Sequence, residues 1–245
     1  MTGKIVPRFQ LRSWTIQDFQ ALISSLDEAK TLSQQIVSLV VEYEFDGIVL
    51  ECGYPTMFRT FLQTLSQQLH QWDKELILVL SPIRTEQDKR YLNPVIFNDL
   101  ATFVDRFSLM TYDYSSHRQG GGPSAPVDWI INNIEYLTEE KNRYQLLIGL
   151  NMYAMSYSAT QYPEPLVMKD VLQKLGEQQS YSTEDSSDII WDKQSEEHYF
   201  QYQSESDIGP TAIWMPTLTS IQNRIRIADD YGGKILEYRM WYICH

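Results

Sequence analysis

Three uninterrupted apolar runs limit what this chain can fold into: Ile48-Val49-Leu50 within "FDGIVLECG", "LILVL" at 76–80 and "LLIGL" at 146–150. None of them alternates polar with apolar residues, which predicts strands buried on both faces. Segments of helical periodicity lie between them. One is 13–44, with Leu32, Ile36, Leu39 and Val40 on one side; another is 57–73, with Phe58, Phe61, Leu62, Leu65 and Leu69. Shorter helices are predicted over 93–105, 127–139 and 217–233, and further strands at 4–9, 106–114 and 234–240. The run "YQLLIGLNMYAM" reads as a single strand. Strands alternating with helices imply βαβ units and a parallel sheet, which a doubly wound sheet and a closed barrel satisfy equally. The stretch 157–210 breaks this rhythm. It is polar and rich in Ser, Glu and Gln, and it reads as an insertion with short strands of its own.

At 245 residues, 43% of them hydrophobic, a single domain spanning 1–245 can bury a sizeable core. The net charge of −12 argues against nucleic acid as a partner, since backbone contacts need Lys and Arg. No apolar stretch reaches membrane-spanning length, and the opening residues lack the apolar core of a secretory leader. Cys52 and Cys244 lie far apart and share no ligand spacing with His117, His198 or His245, so no metal site is predicted. The "GGGP" stretch lacks both the dinucleotide-binding spacing and the lysine of a phosphate loop, and no cofactor is predicted either. The 16 Tyr and 6 Trp have two readings. They are core aromatics with polar tips, or they supply rings on which the apolar face of a pyranose stacks.

In barrels of βα units, function sits at the C-terminal ends of the strands. The polar residues there are Glu51 after "GIVL", Ser81 after "LILVL", Tyr112 and Asp113 after "SLM", and Asn151 and Tyr153 after "LLIGL".

At these residues the chain resembles family 18 of the glycoside hydrolases, the chitinases. "FDGIVLECG" is similar to that family's fourth-strand signature D-G-x-D-x-D-x-E, "LMTYDY" to its sixth-strand motif and "LIGLNMY" to its seventh strand. The resemblance covers nearly the whole chain and weakens after Gly233. It implies a TIM-type (β/α)8 barrel, an oligosaccharide or other glycan as ligand, and a lysosomal or secreted location. Laid on the signature, Asp46 matches the first Asp, with Gly47 beside it. Val49 stands at the second Asp, Glu51 at the third, and Gly53 where the catalytic Glu belongs. In the family that Glu protonates the departing oxygen while the sugar's own acetamido group attacks the anomeric carbon. Donation of this kind contributes about 10²–10⁴-fold, and Gly53 has no side chain to supply it.

Glu51 is the fallback acid. If the strand continues, Glu51 and Gly53 point to one side, separated by about 6.6 Å, so Glu51 reaches a glycosidic oxygen poorly. It reads more simply as a buried carboxylate hydrogen-bonded to neighbours such as Tyr112. Asp46 reads as a structural residue. The resemblance assigns sugar contacts to Tyr112 and Asp113. Met110 beside them lines the barrel, more simply as core packing, and Tyr153 and Trp191 read equally as cleft aromatics and as ordinary packing residues. The acidic run 182–188 reads as a solvated loop.

Two departures from the family pattern stand out. Only one strand precedes the signature, so the first two βα units are expected to be missing. The tail reads "KILEYRMWYICH", placing Leu236 where relatives carry a cleft-floor Trp, and Trp241 is too displaced to replace it. Three functions are expected in turn: a non-hydrolytic sugar-binding protein, a glycosidase using Glu51, or a module that binds a protein partner and leaves the cleft idle.

Overall fold

The computed structural model describes residues 4–10, 14–118, 120–158, 162–181, 189–203, 209–232 and 234–237. They form two compact units: Met1–Met110 with Ile134–Leu147, and Thr111–Asn133 with Ile148–His245.

The first unit is built from βα repeats. Its elements are β1 (Arg8–Gln10), α1 (Ile16–Ser24), α2 (Leu26–Glu42), β2 (Gly47–Glu51), α3 (Arg59–His70), β3 (Glu75–Leu80), α4 (Pro94–Leu100) and β4 (Arg106–Leu109). The four strands lie side by side in chain order and all run parallel, with Gln10 opposite Glu51 and Leu50 opposite Leu78, which in turn faces Phe107. Ile48, Leu50, Leu76, Leu78 and Phe107 are wholly buried. The unbroken apolar runs of β2 and β3 are thus explained, since these strands are covered on both faces, whereas the edge strand β1 leaves Arg8 exposed.

Two local devices set the geometry of this unit. Ser25 adopts extended backbone and splits the stretch predicted as one helix over 13–44. Its N–H closes α1 on the carbonyl of Ala21 at 2.9 Å, and its hydroxyl accepts from the N–H of Glu28 at 3.2 Å, opening α2. Both α2 and α3 then end in the same Schellman closure. Phe45 N–H donates to Val40 O at 2.9 Å and Lys74 N–H to Leu69 O at 3.1 Å, with Glu44 and Asp73 in the left-handed region. Each closure turns the chain back into the next strand. Gly47 opens β2 because nothing larger fits: a Cβ there would lie 2.2 Å from the carbonyl oxygen of Glu75. The helix predicted over 93–105 is shorter than its periodicity suggests. It starts at Pro94, capped by Asn93, whose side-chain oxygen accepts from Val95 and Ile96 at 3.1 Å each, and it stops at Leu100.

The helix α5 (Val127–Leu137) and strand β5 (Leu146–Leu150) carry the chain across the two residue sets. The second unit continues with β6 (Ala154–Tyr157), β7 (Glu164–Leu166), α6 (Met168–Tyr181), β8 (Ile190–Asp192), β9 (Glu197–Gln203), β10 (Pro210–Met215), α7 (Leu218–Asp230) and β11 (Lys234–Glu237), which neighbours β5. An antiparallel sheet in the order β7-β6-β10-β9-β8 forms its body. One face carries Ala154, Phe200, Ile213 and Met215, packed with Leu166 and with Val171 of α6. The single strand read from "YQLLIGLNMYAM" is corrected here. The chain leaves β5 at Asn151, whose amide donates to Tyr153 O at 3.1 Å, and Ala154 begins a strand of the other sheet. The antiparallel sheet accordingly starts before 157, ends at Met215 and includes the unpredicted helix α6.

Candidate functional site

In the first unit the site forms where β2 and β3 end. Glu51, the last residue of β2, is half-buried, and its carboxylate accepts from both Arg8 and Gln10 on the adjacent β1. Parallel register places Gln10 directly beside it. The next residue, Cys52, is buried, and its thiol is pushed up to about 12, first by that burial and then by the Glu51 charge. It is no nucleophile at neutral pH.

The chain then bends away from the strand. Gly53 lies in the left-handed region at φ +73°, and Tyr54 N–H donates back to Cys52 O at 3.0 Å. The two-residue periodicity that would align Glu51 with position 53 therefore does not extend that far. A Cβ built on Gly53 would meet nothing within 4 Å, so the space a side chain would occupy is open.

Two cavities border this gap, and Gly53 and Tyr54 line both. One, of about 360 Å³, continues past Ser81 and Arg84 to Asp88 and Tyr91. The Tyr54 and Tyr91 rings stand 5.1 Å apart at 53°, each more than half exposed. Asp88 is held ionised. Burial opposes its charge, but hydrogen bonds from Arg84 N, Thr85 N and the Thr85 hydroxyl, at 2.7–3.0 Å, together with the Arg84 charge, outweigh it and lower its pKa. The other cavity, of about 750 Å³, is walled by Ile16, Phe19, Ile23, Met57 and Phe58. Tyr54, Tyr91, Arg84 and Asp88 were absent from the sequence-derived candidates. Tyr54 had a signal, standing directly after the signature, whereas Tyr91 sits in a turn with no periodicity to expose it.

Asp46 directly precedes β2, and its carboxylate accepts from Ile5 N at 2.7 Å and its carbonyl from Glu75 N at 3.0 Å. Met110 follows β4, partly exposed, with its N–H on Leu80 O at 3.1 Å.

The second unit gathers Tyr112, Asp113 and Tyr153. Tyr153 donates its hydroxyl to Asp113 Oδ1 at 2.6 Å, and the rings of Tyr112 and Tyr153 meet edge to face at 6.4 Å. Asp113 carries φ +59°, a conformation that non-glycine residues adopt at an energetic penalty and that recurs at functional sites. Below this group is Tyr157, whose buried hydroxyl makes no hydrogen bond among the described residues. Its phenol is pushed up, first by burial and then by the charges of Asp113 and Glu197. Glu197 forms a buried pair with Arg224 at 3.1 Å and accepts from Ser124 N at 2.9 Å and Ala125 N at 2.5 Å. This pair pins the loop after Asp113 onto the antiparallel sheet.

Trp191 is elsewhere in that unit, packed on His198 at 4.5 Å across the β8–β9 ladder. His198 is partly buried and bonded to the Thr217 hydroxyl at 2.9 Å; His117 is exposed. Residues 182–188, Trp241, Cys244 and His245 lie outside the described residues. Among the described residues no cluster of His, Cys, Asp or Glu has the makings of a metal site, and no helix is long and apolar enough to cross a membrane.

The chain belongs to family 18 of the glycoside hydrolases: that family's model, glycosyl hydrolases family 18, matches residues 12–235. Solved structures agree on the fold. The chain is similar to the spore cortex-lytic enzyme SleL of Bacillus megaterium (TM-score 0.75, 16% identity), covering 96% of this chain and 56% of that one. It is also similar to a class V chitinase of Pseudomonas fluorescens (TM-score 0.74, 19% identity, 96% and 76% covered) and to a chitinase of Chromobacterium violaceum (TM-score 0.69, 18% identity, 88% and 71% covered).

Proposed function

We propose that this protein is a chitinase-like carbohydrate-binding protein, holding N-acetylglucosamine-containing oligosaccharides or related glycans without cleaving them. The observation that carries this reading is position 53. Where the family signature places its proton donor there is a glycine, and the space around it is open and continuous with two cavities. Neither nearby carboxylate takes over the task. Glu51 is engaged by a guanidinium and an amide on β1. Asp88 has its pKa lowered, the wrong direction for a group that must carry a proton at neutral pH. What remains suits binding: the exposed Tyr54 and Tyr91 offer faces for sugar rings.

Within the family, "VPRF", "SLMTYDYS", "IGLNMY" and "WDKQSEEHYFQY" support kinship with chitinase domain-containing protein 1, a chitinase-like lectin. That kinship also supports a lysosomal or secreted location, to be checked by immunolocalisation of the native protein.

The deciding experiment titrates N-acetylchitohexaose while following tryptophan and tyrosine fluorescence, with a fluorogenic chitobioside assayed in parallel. Saturable binding without turnover is the expected result. Turnover that disappears in Glu51→Gln would reverse the reading and make the chain a glycosidase.

A further inference from the structure

Away from the strand ends, α2 and α3 enclose a groove of about 700 Å³, within the size range of ligand sites. The two helices present the same four residues to the fold: Leu-Ser-Gln-Gln at 32–35 and again at 65–68. Ser33 and Ser66 are buried, the first bonding to Ala29 O at 2.6 Å and the second to Phe103 O at 2.5 Å. With the serines turned inward, the glutamines after them are left at the surface.

Gln34 from α2, Gln67 and Gln68 from α3, and Gln71, the residue that caps α3, line the groove. Spacings of three and four residues put the α3 amides on one side of the helix. None of these four carboxamides hydrogen-bonds to another protein group among the described residues. Trp72 also lines the groove, 56% exposed, and the Schellman closure through Asp73 and Lys74 holds its backbone. Lys30 is the only charged residue in the lining. No carboxylate among the described residues lines this groove.

We propose that the α2–α3 groove is a second glycan-binding site, taking a neutral saccharide chain independently of the strand-end site. A carboxamide both donates and accepts, so a row of four matches the hydroxyls of adjacent sugars without requiring charge. The indole face matches the apolar face of a pyranose, and a backbone locked at Trp72 means little ordering entropy is lost there on binding. A polyanion would find a single lysine. A protein helix would find only Leu26 and Val37 as aliphatic anchors.

The test uses the whole chain labelled with 5-fluorotryptophan, with the Trp72 resonance assigned through Trp72→Phe. N-acetylchitohexaose shifts that resonance saturably, and the midpoint rises about tenfold when two hydrogen-bonding amides are removed in Gln67→Ala/Gln71→Ala. Tyr54→Ala leaves the Trp72 midpoint unchanged. All three glutamine and tryptophan positions are exposed, so the variants fold, as a far-UV spectrum verifies. No shift by about 10 mM hexaose, a midpoint indifferent to the double substitution, or a shift abolished by Tyr54→Ala overturns the proposal. None of these outcomes bears on binding at Tyr54 itself, which the tyrosine fluorescence titration reads separately.

Discussion

Gly53 and Gly47 are both glycines of the signature strand, yet the structure demands them for different reasons. At Gly53 the demand is conformational only: a methyl group has room, but an L-residue at φ +73° is strained. Gly53→Ala is expected to lower stability by about 1–2 kcal/mol. At Gly47 the obstacle is backbone, the Glu75 carbonyl at 2.2 Å, so Gly47→Ala forces β2 and β3 apart and has the larger effect. Thermal melts of the two variants rank them, and an equal loss would contradict the geometry. Asp88 sets a pH dependence. Its folded pKa lies below the ordinary 3.8, so the stability it gives its turn is complete above about pH 4 and fades as pH falls through the lower folded value. The sugar-binding midpoint is therefore expected to stay flat down to about pH 4 and to weaken below it, while Asp88→Asn binds more weakly at every pH and lacks the acid limb.

At the level of elements, β2 and β3 were legible because burial on both faces leaves their interiors apolar. The break at Ser25 was legible in principle: Ser25-Leu26-Asp27-Glu28 is a capping sequence, but hydrophobic periodicity on both sides concealed it. The crossing from β5 to β6 was not legible, since Asn151, Met152 and Tyr153 resemble strand residues until the second sheet competes for Ala154 and its successors. Helix α6 was hidden by its polar composition and by Gly176 in its middle. In the first unit the signature pointed to Glu51 and Gly53 but not to Tyr91, and in the second unit no motif pointed to the Arg224–Glu197 pair, because both depend on contacts distant in sequence. Arg224 also donates to the carbonyls of Ala125, Ser195, Glu196 and Ser220 at 2.6–2.8 Å. Arg224→Met strands a buried carboxylate and is expected to destabilise the second unit by about 3–5 kcal/mol, read as accelerated amide exchange in β9 and the loop after Asp113.

For the whole molecule, the charge of −12 constrains which glycans suit it. A polyanionic saccharide is repelled, whereas a neutral one is indifferent to the protein's field. Affinity for N-acetylchitohexaose is expected to hold steady as salt rises from about 50 to 500 mM, and retention on heparin to be negligible. A marked salt dependence would mean the ligand carries charge. The bond from Tyr153 to Asp113 also bears on ligand choice. If a sugar hydroxyl binds Asp113, it must share that carboxylate with the Tyr153 phenol already bonded to it. Tyr153→Phe evicts that occupant, so sugars that reach Asp113 should then bind more tightly, and those that never touch it should not notice the change.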